Sequence, residues 1–168
     1  MKISVHSLVV EQVSHSLNQL LVMLDKATAY AEAKKFDSSV LVNARLAPDM
    51  LPFAKQIQIA SDNAKFGVAR LGGLEAPKFE DNEKTLDELK ARVRKTVDYL
   101  RSVPATAFEG AEDRDIKIAV PNRTFEMKGL AYLRGWVLPN VFFHITAAYL
   151  ILRHNGVDVG KRDFLGEV

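Results

Sequence analysis

The 168-residue chain has no cysteine. Disulfides, thiolate metal sites and a cysteine nucleophile are thereby excluded, which fits a reducing compartment without establishing one. An excess of charge of one sign is also missing, since 23 Lys and Arg face 21 Asp and Glu for a formal net charge of +2. A nucleic-acid footprint needs a basic surplus gathered on one face, so no nucleic-acid partner is expected. With only four histidines, metal and general-base chemistry have few places to sit. The N-terminal segment lacks the apolar run of roughly seven or more residues that a signal peptide needs. The longest apolar segment, 137–152, is interrupted by Pro139, Asn140, His144 and Thr146 and reads as falling short of a membrane span. A cytoplasmic protein with no membrane partner is the expectation. G-x-S-x-G, the P-loop, G-x-G-x-x-G and H-E-x-x-H are all missing as well.

What is present is the composition of a globular protein, 48% hydrophobic and 26% charged, in one domain spanning residues 1–168. Val5, Leu8, Val9, Val13, Leu17, Leu20, Leu21, Leu24, Ala27 and Ala31 form a helical stripe that fades near Lys34-Lys35. Asp37-Ser38-Ser39 caps a short turn predicted over 40–46, and Pro52 stands near the first turn of a second long helix. That helix carries Phe53, Ile57, Ala60, Ala64, Gly67, Val68 and Leu71, and Gly72-Gly73 stops it. Thr85 and Glu88 fit a capping box opening a third helix, whose Arg92, Arg94, Lys95 and Arg101 read as a solvated face. Between 112 and 127 the period becomes two, predicting a hairpin with Pro121-Asn122-Arg123 as its turn. The last long helix is predicted from about Gly129 to Asn155 with a break near Gly135 to Pro139, followed by an irregular tail. The fold class is therefore all-α, a four-helix bundle with a small β-hairpin inserted before the last long helix.

On a wheel with Leu130 at zero, Asn140 falls at about 280° and His144 at about 320°, at the edge of the apolar stripe. Gln56, Asn63 and Arg70 run beside the stripe of the second helix. Brought together, Gln56, Asn63, Asn140 and His144 are the candidate ligand-binding residues of an interhelical polar pocket. The same residues can also close a core hydrogen-bond network by themselves. His154 reads as a helix C-terminal group, His15 as exposed, and His6 as lying near the terminus. Trp136, Phe142, Phe143 and Tyr149 surround the last helix, so part of that surface is either covered by the hairpin and tail or is a dimer interface.

The segments 43–50 (NARLAPDM), 130–133 (LAYL), 138–144 (LPNVFFH) and 160–166 (GKRDFLG) resemble a bacterial family of domains of unknown function. That family looks like a branch of the DinB/YfiT-like metalloenzyme superfamily, and the resemblance covers nearly the whole chain. It implies an up-up-down-down four-helix bundle, often a homodimer. It also implies a divalent metal, commonly Ni or Zn, on one histidine of the second helix and an H-x-x-x-H pair on the last, used by some members for thiol transfer. Here the second position of the pair is His144, the first is Asn140, and the second-helix position falls at Gln56. Amide oxygens are poor partners for Ni or Zn beside an imidazole, so no metal and no other cofactor is expected. Arg45 and Asp49 read either as a functional pair or, more economically, as an ion pair that pins the loop before Pro52. The leading expectation is a module binding a small polar ligand. The alternatives are a metal-dependent hydrolase or thiol transferase with a reduced ligand set around His144, and a structural or dimerisation protein.

Overall fold

Val13, Leu17, Leu20, Leu24 and Ala27 are fully buried, and their spacing turns the first segment into helix α1 (Val13–Lys34) after a wider π-turn at Ser7–Gln12. The computed structural model describes residues 3–167; Met1 and Lys2 of the N-terminal reading and Val168 of the tail lie outside the described residues. Lys35 ends α1 in the left-handed conformation, its N–H on the carbonyls of Ala31 and Glu32. Helix α2 (Ser39–Asn43) is shorter than predicted, because Ala44 turns extended and its carbonyl takes the N–H of Phe53. Helix α3 (Phe53–Gly72) starts after Pro52, which is extended and just outside it, and stops at Gly73 with φ 66°. Helix α4 (Leu86–Ser102) opens on the Thr85–Glu88 capping box.

Strands β1 (Asp115–Val120) and β2 (Arg123–Lys128) pair antiparallel with Val120 opposite Arg123. The turn is thus Pro121-Asn122, and Arg123 belongs to the strand rather than to the turn. Ile116 and Ile118 are buried, which is how a two-stranded hairpin becomes stable. The last helix is continuous from Gly129 to His154, as α5 (Gly129–Tyr132), a π-turn (Leu133–Val137) and α6 (Leu138–His154). The predicted break is this π-turn, set where Pro139 has no N–H to give the preceding turn. By length and composition this helix of 26 residues, mean hydropathy 1.5 in its best window, is apolar enough to cross a membrane, correcting the reading of 137–152. Of that window 39% is buried inside the bundle, where α1 and α3 pack against it. A core helix of a bundle meets the same criterion. The tail is not wholly irregular: α7 (Lys161–Leu165) forms because Asp163 accepts the N–H of Gly160, and Lys26 holds Asp163 at 2.8 Å.

The four-helix bundle and its hairpin are as the sequence predicts, but the helix directions are not up-up-down-down. Helices α1 and α3 each pack on both α4 and α6. Lys90, near the start of α4, meets Asp25 and Thr28 in the later half of α1, so those two are antiparallel. Gln56 meets His144 while Arg70 meets Tyr132, so α3 and the last helix are antiparallel. Arg92 reaches Gln58 while Val103 lies on Gly72, so α3 and α4 are parallel. The order is up-down-down-up.

Parallel neighbours require a return connection as long as the helix. Helix α3 has 20 residues and is about 30 Å long. The 74–84 segment, extended at roughly 3.3 Å per residue, covers about 36 Å. It is fastened along its course by Arg92, which is 4% exposed and not part of a solvated face. Its guanidinium holds Asp62 and Asp81 at 3.0 Å and Glu83 at 2.9 Å. The ring of Phe79 takes the ammonium groups of Lys65 and Lys95 at 4.3 Å each.

Candidate functional site

His144 reaches into the α3–α6 seam because it follows Val141 by three residues and precedes Ile145 and Ala148, all buried. Its Nδ1 lies 2.7 Å from Gln56 Oε1, and Gln56 Nε2 donates to the carbonyl of Leu51 at 2.9 Å. The second bond fixes the amide, so Oε1 is the acceptor and His144 Nδ1 carries the proton. Nε2 then bears the lone pair. Among the described residues it has no hydrogen-bond partner, yet it is not one of their enclosed unpartnered atoms, which are Ser14 Oγ, Gln58 Oε1, Ser61 Oγ, Arg92 Nε and Tyr99 Oη. It therefore keeps contact with solvent. Burial holds the His144 imidazole below its usual pKa, so the ring is neutral.

The other two candidates do not join this pair. Asn140 Nδ2 donates to the carbonyl of Trp136 at 2.7 Å, and Asn63 Nδ2 donates to Ile59 at 2.9 Å. Each amide nitrogen thus bonds its own helix one turn back. Five of the clefts on the described surface, of about 390 to 790 Å³, are lined by residues other than Gln56, Asn63, Asn140 and His144. Arg45 does pin its loop, but through the carbonyl of Met50; no Arg45–Asp49 ion pair occurs among the described residues. Asn155, not His154, bonds the last carbonyls, through Nδ2 on Ile151. His15 is exposed as predicted, and its Nε2 lies 2.7 Å from the Leu165 carbonyl of the tail.

The aromatic residues of the last helix divide between cover and exposure. Trp136 is covered by Phe125 of the hairpin at 5.2 Å, and Tyr149 by Phe164 of the tail at 5.9 Å. Phe143 is 59% exposed. It is itself part of the wall of a groove of about 400 Å³, which Leu46 and Met50 of the loop and Pro139, Phe142, Thr146 and Leu150 of the last helix also line. No lining residue carries a charge. Leu46 and Met50 escaped attention in the sequence because nothing in a loop signals which helix it will lie against.

A metal of the kind the DinB-like fold implies does not suit these side chains. Among the described residues no group of three His, Cys, Asp or Glu could hold one. Gln56 is engaged at both ends, and one imidazole nitrogen alone is too little for Ni or Zn.

An up-down-down-up bundle with a hairpin before the last helix, and a histidine tied to an amide between its second and fourth long helices, is a DinB-like bundle. The chain belongs to the family described as Domain of unknown function (DUF1993), whose model matches residues 5–165. It is similar to a solved structure, a DinB family member protein from Shewanella denitrificans, at 44% sequence identity and a TM-score of 0.89 over 97% of this chain and 92% of that one. No protein of curated function matches it.

Proposed function

We propose that this protein is an interaction module, a cytoplasmic homodimer formed through the uncharged face of its last helix. The observation that carries the reading is an exposed aromatic side chain in the wall of an uncharged groove. Phe143 is largely exposed and stands in the wall of the groove that Leu46, Met50, Phe142 and Leu150 also line. A two-fold axis across such a face sets each copy's Phe143 against the other's groove, the self-complementarity an isologous interface needs. The absence of charge from the lining favours an apolar partner over nucleic acid or a charged surface. Sedimentation velocity at micromolar concentration tests this. The wild type should sediment as a dimer and Phe143→Asp as a folded monomer. A monomeric wild type overturns the reading.

A second reading, binding of a small polar ligand, is supported by the Nε2 lone pair of His144. It would accept a hydrogen bond from a donor such as an amide, hydroxyl or ammonium group. Isothermal titration against such compounds, with His144→Asn as the control, tests it.

A further inference from the structure

We infer that the position where the superfamily implies a metal has become, in this chain, a structural hydrogen-bond tie joining the last helix, α3 and the connection between α2 and α3. The argument starts from what Gln56 can do. An imidazole that ligates a metal through one nitrogen needs its other N–H held by an acceptor. Gln56 Oε1 is that acceptor for His144 Nδ1–H, so Gln56 is an orienting group and not a ligand. Turning the same oxygen toward a metal would leave the Nδ1–H unpartnered beside the core and release the Leu51 carbonyl from Nε2. Asn140 is no replacement, because the amide oxygen left to it once Nδ2 bonds Trp136 is a poor ligand for Ni or Zn.

The tie has a job of its own. Leu51 precedes Pro52, which carries no N–H, and it stands at the end of the loop that supplies Leu46 and Met50. Gln56 bonds the carbonyl of Leu51, and Arg45 bonds the neighbouring carbonyl of Met50. His144 anchors Gln56 from the last helix, next to Phe143, whose ring meets the imidazole edge-on at 5.2 Å. The loop and the helix are thus held in fixed register by neutral hydrogen bonds, where relatives are implied to use a cation. This holds whether or not a second copy docks there.

The test uses the full chain, labelled with nitrogen-15, near neutral pH. Long-range proton–nitrogen spectra should show His144 protonated on Nδ1 with an unprotonated Nε2. Gln56→Leu should shift that ring toward a mixture of tautomers. Dialysis against Zn²⁺ or Ni²⁺ should leave the wild type without stoichiometric metal. The double variant Gln56→His/Asn140→His, which supplies three imidazoles, should gain it. An Nε2–H tautomer in the wild type overturns the inference. So does stoichiometric Zn²⁺ or Ni²⁺ on the wild type that His144→Ala removes, or a folded double variant that binds no more metal than the wild type.

Discussion

Gln56 Oε1 accepts the Nδ1–H of His144 at 2.7 Å, and this one bond decides which ring nitrogen faces outward. Because burial lowers the His144 pKa from 6.5, the unfolded chain takes up that proton more readily than the folded one. Its contribution to stability is fully present above the unfolded value and is lost as pH falls toward the folded one. Melting temperature should therefore fall on acidification from about pH 7 to about pH 5, and fall less in His144→Asn. Identical slopes for the two proteins would contradict the neutral, buried assignment.

Arg92 is the fastener of the return segment. Arg92→Met leaves Glu83 without its cation, while Asp62 keeps Lys65 and Asp81 keeps Lys55, and should cost about 1.5–3 kcal/mol in urea unfolding. Arg92→Lys should recover only part of this, since one ammonium cannot reach the partners of both terminal nitrogens. Lys117→Met removes an ion pair whose side chains are both 69% exposed, and should change stability by no more than about 0.5 kcal/mol. Equal effects at Arg92 and Lys117 would show that the buried network is not what holds the segment.

Gly129 joins the hairpin to the last helix. A Cβ there would stand 1.8 Å from the carbonyl oxygen of Ala111, a backbone atom that cannot swing aside. Gly129→Ala should destabilise by about 1–3 kcal/mol, the range for forced overpacking. Gly135, with nothing within 4 Å of its Cβ position, should tolerate alanine or gain slightly. Urea midpoints compare the two. A neutral Gly129→Ala would mean that the junction is looser than described.

The start of α4 offers a smaller test. Thr85 Oγ1 accepts the N–H of Glu88 at 3.2 Å, and the Glu88 carboxylate accepts those of Lys84 and Thr85. Thr85→Ala should cost about 1 kcal/mol. The N–H of Lys84 and then that of Thr85 hold the Glu88 carboxyl below its usual pKa, so the cap weakens as pH falls through the folded value. Acid titration followed by circular dichroism should show Thr85→Ala losing helix at higher pH than the wild type. Coincident curves would remove the cap from the account.

Most elements were legible because they rest on local patterns. The stripe from Val9 to Ala31, the capping box at Thr85 and the alternation of Ile116 and Ile118 each specify a face or an end. Helix direction was not legible, since periodicity tells which side is buried and not which way the chain runs. A connection as long as 74–84 permits either direction. Arg92 was misread for a related reason: its partners Asp81 and Glu83 sit in the connection, and only the parallel packing brings them over α4. At the candidate site, the wheel placed Asn63 and Asn140 near the seam. It could not show that each amide would turn back onto its own helix.

The absence of cysteine that opens the sequence makes the central claim directly testable. A single cysteine at Thr146, exposed among Phe142, Phe143 and Leu150, is the only thiol in the chain. Mild oxidation at micromolar concentration should convert Thr146→Cys rapidly to a covalent dimer, while a control cysteine at Lys117 on the hairpin stays monomeric. A Thr146→Cys protein that cross-links no faster than the Lys117→Cys control would contradict a dimer built on the face of the last helix.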